Sequence, residues 1–135
     1  MNITADTNLL LRAIVADDPD AAAVARQRLK AARTVTIPGI VLCEFVWVAV
    51  RAYKSPRHGV AQAIRTLVSD PKVVCDRDAI EAGLAILDSG GDFADGVIAA
   101  EGRRLGGTVF ATFDRKAASL IAAQGHAVDL LPAAP

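Results

Sequence analysis

An α/β fold is what this sequence predicts: a parallel sheet of about five strands, covered by helices on both faces, as a single domain over residues 1–135. Three observations predict it. Short β-branched runs alternate with longer helical patterns along the whole chain, as parallel strands joined by crossover helices require. The apolar residues are chiefly Ala, Val, Leu and Ile rather than aromatics, and a chain of 135 residues can bury them in one sizeable core. Two of the best strands end in the same way, each running into an aspartate that opens the next helix. Ligands of open α/β sheets bind outside the carboxyl ends of the strands.

The first of these strands is Ile3 to Ala5. It stops at Asp6-Thr7-Asn8, and Leu9 to Ile14 begins a helix that Asp6 or Thr7 can cap. Asp17-Asp18-Pro19-Asp20 is a loop, with proline at a turn or first-helical position. Ala21 to Ala32 follows as an amphipathic helix with Arg26, Arg28 and Lys30 on its solvated face. Thr34 to Ile37 alternates polar and apolar residues and reads as a strand, broken by Pro38-Gly39.

Ile40 to Tyr53 is a strongly apolar helix in which Glu44 stands alone. Its neighbours at helical spacing are nearly all apolar, which predicts a buried glutamate that needs a hydrogen bond, an ion pair or a metal. Phe45 and Trp47 read as core. Arg51, Lys54, Arg57 and His58 form the densest basic region, either a solvated helix end or a phosphate contact. Val60 to Val68 is a further amphipathic helix ended by Asp70-Pro71, Lys72 to Cys75 a short strand, and Asp78 to Leu87 a helix capped by Asp76.

Gly90-Gly91 is a turn, and Asp92 then stands at the N-cap of a helix running to Leu105. Asp95 falls in the first turn, where the helix dipole favours negative charge. The small apolar residues that follow, Gly96 to Ala100, carry it toward the interior. Gly106-Gly107 stops this helix. Thr108 to Thr112 is the second strand of its kind, leading through Phe113 into Asp114 and the helix Arg115 to Ala123. Gly125-His126 is a turn, Ala127 to Leu131 a last strand, and 132–135 a frayed tail.

Fifteen basic and fifteen acidic side chains cancel, so net charge gives no support to nucleic-acid binding and leaves room for a local basic patch. Cys43 and Cys75, each in an apolar segment, suggest buried thiols in a reducing compartment rather than a disulfide framework or a zinc site. The amino terminus lacks a basic region and meets Asp6 almost at once, against a signal peptide, and no apolar run approaches the ~20 residues that span a bilayer. A cytoplasmic protein is expected.

Parallel strands with right-handed crossovers set Asp6 and Asp114 at one edge of the sheet, within reach of Asp95 and Glu44. Four crowded carboxylates repel one another, and divalent cations remove the conflict. An all-oxygen ligand set without His or Cys suits Mg²⁺ or Mn²⁺. The matching chemistry is hydrolysis of a phosphodiester by a metal-activated water, with one ion or with two ions ~3.5–4 Å apart. No Ser/His or Cys/His pair and no glycine-rich phosphate loop points elsewhere.

Asp6-Thr7-Asn8 after the first strand, Glu44 on the third helix, Asp92-Phe93-Ala94-Asp95 with Ile98-Ala99-Ala100, and Thr112-Phe113-Asp114 carry a resemblance. Over nearly its whole length the chain resembles a PIN-domain protein, and within that group a VapC-type toxin of a toxin–antitoxin pair. The resemblance implies a single three-layer PIN-like domain and an endoribonuclease. Asp6, Glu44, Asp95 and Asp114 match the family's acidic quartet, which binds Mg²⁺ or Mn²⁺. Thr7, Asn8 and Thr112 match supporting hydroxyl and amide groups, and Asp92 an acid often seen beside the quartet. The resemblance also implies a homodimer, and a VapB-type antitoxin whose carboxyl-terminal segment lies over the acidic pocket. Arg51, Lys54 and Arg57 are the candidate RNA contacts.

Two other classes remain open from the residues. A catalytically inactive PIN-like module would bind RNA or protein through the same fold. A phospho-acceptor signalling domain also clusters acids on a parallel sheet, but it wants a lysine after a late strand, whereas Lys116 sits on the helix following Asp114.

Overall fold

A computed structural model of the protein describes residues 1–133. In chain order the elements are β1 (Asn2–Thr4), α1 (Thr7–Ile14), α2 (Pro19–Ala31), β2 (Thr34–Thr36), α3 (Gly39–Arg51), α4 (Arg57–Ser69), β3 (Val73–Val74), α5 (Arg77–Asp88), α6 (Phe93–Arg104), β4 (Val109–Thr112), α7 (Arg115–Ala123) and β5 (Ala127–Leu130). The alternation of strand and helix is the expected one, and every strand pairing is parallel. The strands hydrogen-bond as two sheets, of three and two strands, rather than as one of five. Strands of two to four residues make few ladder bonds, so each pairs with the strand its own crossover helix delivers. The tail expected over 132–135 lies in its last two residues outside the described part.

Two compact units result, divided after Arg77. In the first, β2 is the central strand, with Ile3 opposite Val35 and Val35 opposite Val73. The Ala5 N–H donates to the Thr36 carbonyl at 2.9 Å, carrying the ladder to the residue before Asp6. Ala5, Leu10, Val35, Ile37, Leu42, Phe45 and Ile64 are buried in this unit. Long basic side chains close its helix ends, where the last carbonyls have no partner within the helix. Arg26 Nε donates to the Ala13 carbonyl in the last turn of α1 at 2.9 Å. Lys72 Nζ donates to the Leu29 and Lys30 carbonyls of α2 at 2.6 and 3.0 Å. Arg77 donates to the Val68 carbonyl of α4.

The second unit is built on α5, α6 and α7 with β4 and β5, and α6 packs on α7 and β4. Gly90 has φ +90°, a conformation that glycine reaches without strain, and it makes the turn between α5 and α6. Close packing fixes Gly96. A Cβ there would lie 2.4 Å from the Ala82 carbonyl oxygen and 2.7 Å from the Gly83 Cα, so the backbones of α5 and α6 meet without an intervening side chain. The residue before this contact is Asp95. The small residues read from the sequence therefore do hold the acid-bearing turn against its neighbour.

Gly96→Ala should destabilise the protein by about 1–3 kcal/mol, because the obstacle is backbone and cannot swing aside. Gly102 lies on the same helix, and a methyl group there would meet nothing within 4 Å, so Gly102→Ala should stabilise by about 0.5–1 kcal/mol. Denaturant midpoints check the pair, and equal midpoints would refute the close approach.

Candidate active site

The acids of the first unit are placed by local chemistry. Asp6 is the N-cap of α1, with extended backbone (φ −92°, ψ 174°), and its Oδ1 accepts the Leu9 N–H at 2.9 Å. The capping role is thus filled by Asp6 rather than Thr7. One carboxylate oxygen serves the helix and its rotamer is fixed by that bond, while Asp6 stays exposed. Asp6 and Asn8 line a shallow recess together with Arg12, Ala21 and Val24.

Glu44 requires a correction. It is exposed, not buried. The side of α3 that faces the core carries Leu42, Phe45, Val46 and Ala49, and Glu44 shares the opposite side with Ile40, Trp47 and Arg51. An apolar neighbourhood implied burial only if those neighbours were themselves buried. Ile40 and Trp47, at four residues before and three after, are 78% and 56% exposed. Trp47 is therefore also not a core residue, unlike Phe45. The signal for its exposure was the pair Glu44 and Arg51, seven residues apart on one helical face with Trp47 between them.

In the second unit three aspartates gather at two helix starts. Asp92 is the N-cap of α6 and accepts the Ala94 N–H at 3.2 Å. Asp95 lies in that first turn, half-buried. Asp114 is the N-cap of α7 and accepts the Ala117 N–H at 3.0 Å. Its own N–H donates to Thr112 Oγ1 at 3.0 Å, so the Thr112 hydroxyl fixes the backbone that presents the acid. Burial pushes the Asp95 carboxyl above its ordinary range, and the charges of Asp92 and Asp114 push it further in the same direction.

The basic region is exposed throughout at Arg51, Lys54, Arg57 and His58. The helix after it starts at Arg57, three residues earlier than the sequence pattern implied, and Pro56 stands at its N-cap. Neither cysteine is in a disulfide among the described residues, both are only partly buried, and burial raises the Cys75 thiol. His126 meets the Arg103 guanidinium through Nδ1, as a residue of the turn before β5.

Parallel α/β units that place carboxylates at strand ends and helix starts have the construction of a metal-dependent hydrolase. The PIN domain matches residues 3–122, and the chain belongs to that family. This stretch runs through both units. PIN domains are generally metal-dependent nucleases that act on RNA. No curated protein matches the chain. Among the described residues no helix is long and apolar enough to cross a membrane.

The donor chemistry fits a hard divalent cation. Asp6, Glu44, Asp92, Asp95 and Asp114 carry no ion pair among the described residues, and their oxygens are the ligand type that Mg²⁺ and Mn²⁺ take. Within either unit no three His, Cys, Asp or Glu side chains among the described residues come together closely enough to hold a metal unaided.

A raised carboxyl contributes full stability below its unfolded value, and that contribution is lost as pH rises through the folded value. In the absence of divalent cations, Asp95→Asn should therefore melt higher than the parent protein at pH 7, with the gap closing as pH falls below about 4. Added Mg²⁺ should stabilise the parent more than the variant. Thermal melts at both pH values decide it, and a pH-independent gap would refute the repulsion.

Proposed function

We propose that the chain is a metal-dependent endoribonuclease acting as the toxin of a toxin–antitoxin pair. The observation that carries this reading is the uncompensated acid group around Asp95. A half-buried carboxylate between two others, with no basic partner among the described residues, raises the folding free energy, and a divalent cation removes that strain. In this proposal both units form one PIN-like domain over residues 1–135, and Asp6, Glu44, Asp95 and Asp114 together hold Mg²⁺ or Mn²⁺.

When bound, the cation supplies the charge that activates water and stabilises the leaving oxygen of a phosphodiester. The chain supplies position. Asp6 and Asp114 each give one oxygen to a helix N-terminus, which locks the side chain and leaves the second oxygen for a ligand. Thr112 sets the backbone at Asp114; Thr7 and Asn8 stand in the first turn of α1, where the resemblance assigns them a supporting role. Burial and the charges of Asp92 and Asp114 raise the Asp95 carboxyl, and a cation held beside it would favour its charged form. Asp92 keeps the turn that aims it. Arg51, Lys54 and Arg57 offer positive charge to the RNA backbone.

The resemblance to VapC-type toxins adds a VapB-type antitoxin, a homodimer and a cytoplasmic setting to the proposal. The specific reaction is favoured over a catalytically inactive binding module by the complete set of acids.

Purified protein should cut single-stranded RNA with Mg²⁺ or Mn²⁺ and stop with EDTA. Asp6→Asn and Asp95→Asn should each lower the rate by at least ~10²-fold while remaining folded, since even groups that only support a ligand cost about 10- to 100-fold. An active Asp95→Asn enzyme, or cleavage that survives EDTA, would falsify the assignment.

A further inference from the structure

α3 is apolar around nearly its whole circumference, yet only one side of it is buried. Helices of that composition are ordinarily covered on all sides. The uncovered side carries Ile40, Glu44, Trp47 and Arg51, at the spacing of one helical face. Trp47 lies one turn beyond Glu44, about 4.5 Å along the axis, and Arg51 about 6 Å further. Past the helix end come Tyr53, 38% exposed, and Lys54, whose φ of +57° turns the chain toward α4.

Charge identifies what this face meets. Between Asp20 and Asp70 the sequence holds eight Lys and Arg residues and a single acid, Glu44. All eight are exposed, and three of them lie on this face or follow it directly: Arg51 in the last turn of α3, Lys54 just past its end and Arg57 at the start of α4. The neutral total for the chain conceals this segregation. A polyanion gains from it. An exposed tryptophan set among basic side chains is how single-stranded nucleic acid is held without sequence-specific hydrogen bonds, by a base stacked on the ring and phosphates on the cations.

We propose that Trp47 is a stacking platform for a nucleobase of single-stranded RNA, seating the strand along α3 so that Glu44 lies beside the adjoining phosphodiester and Arg51 and Lys54 hold the backbone. This rests on the ribonuclease reading and adds a positioning residue to it. Stacking at a fixed turn from Glu44 would set which bond of a bound strand is presented.

Trp47 is the sole tryptophan, so its fluorescence reports the contact directly. With EDTA present to prevent cleavage, an eight-nucleotide single-stranded RNA should quench it, and an abasic strand of equal length and charge should not. By anisotropy of end-labelled RNA, Trp47→Ala should bind about 5- to 100-fold more weakly and Trp47→Phe within a few-fold of the parent. Circular dichroism checks that both variants fold, as replacement of a half-exposed ring should allow. Absence of quenching, equal quenching by the abasic strand, or unchanged RNA affinity in Trp47→Ala would overturn the proposal. So would a Trp47→Ala variant that loses self-association while keeping its RNA affinity, which would assign the face to a protein partner. Cleavage with Mg²⁺ separates the two readings. A parent that binds RNA through Trp47 and never cuts it retains the platform and loses the nuclease, and a Trp47→Ala variant that cuts with unchanged kcat/KM does the reverse.

Discussion

A carboxylate at the start of a helix satisfies backbone N–H groups that would otherwise lack a partner, and three of the candidate acids of this protein are placed by that one interaction. Asp6, Asp92 and Asp114 each accept an N–H in the first turn of the helix they open. Such a cap contributes on the order of 1 kcal/mol. It also fixes the side chain's direction, and that direction is set where a parallel strand has just ended for Asp6 and Asp114. Capping and ligand binding are therefore not rival explanations of these residues. A cap occupies one oxygen of a carboxylate that has two, and the fold obtains a rigid ligand from the bond that starts its helix.

Asp95 differs, and the difference explains its electrostatics. It caps nothing in the described hydrogen bonding, and it sits in the turn that Gly96 presses against α5. The close approach removes water from one side of the carboxyl, while Asp92 and Asp114 hold negative charge near it. Packing thus makes the residue poor at carrying charge alone and good at carrying it beside a cation. A methyl at position 96 would meet the Ala82 carbonyl and force the two helices apart, so the glycine sets the surroundings of Asp95 as much as the neighbouring acids do.

The element order, the three caps and the small-residue turn were legible because each depends on a few neighbouring residues. Strand ends at Asp6 and Asp114 are marked by polar residues after β-branched runs, and capping chemistry acts over three positions. The division of five strands into two sheets was not legible. Pairing is decided between segments tens of residues apart, and strands of two to four residues leave little pattern from which to read a partner. Glu44 and Trp47 were misplaced for a related reason. Burial along a helix is read from the contrast between an apolar and a polar side, and in α3 that contrast rests on two residues, Glu44 and Arg51, seven apart. A glutamate among apolar residues looks interior when its neighbours are assumed to be interior.

That failed assumption bears on function. An apolar outer side is costly to expose, and selection for solubility alone would replace Ile40 and Trp47 with polar residues at little cost to the core, because neither packs within it. Their presence around Glu44 therefore asks for an occupant. The charge beside them narrows the choice, since Arg51, Lys54 and Arg57 are exposed and attract a phosphate backbone. The two units then differ in electrostatic character, one basic around a lone glutamate and the other acidic around Asp95. Positive charge beside an aromatic face is the chemistry that seats a single nucleic-acid strand, and clustered carboxylates are the chemistry that holds a divalent cation.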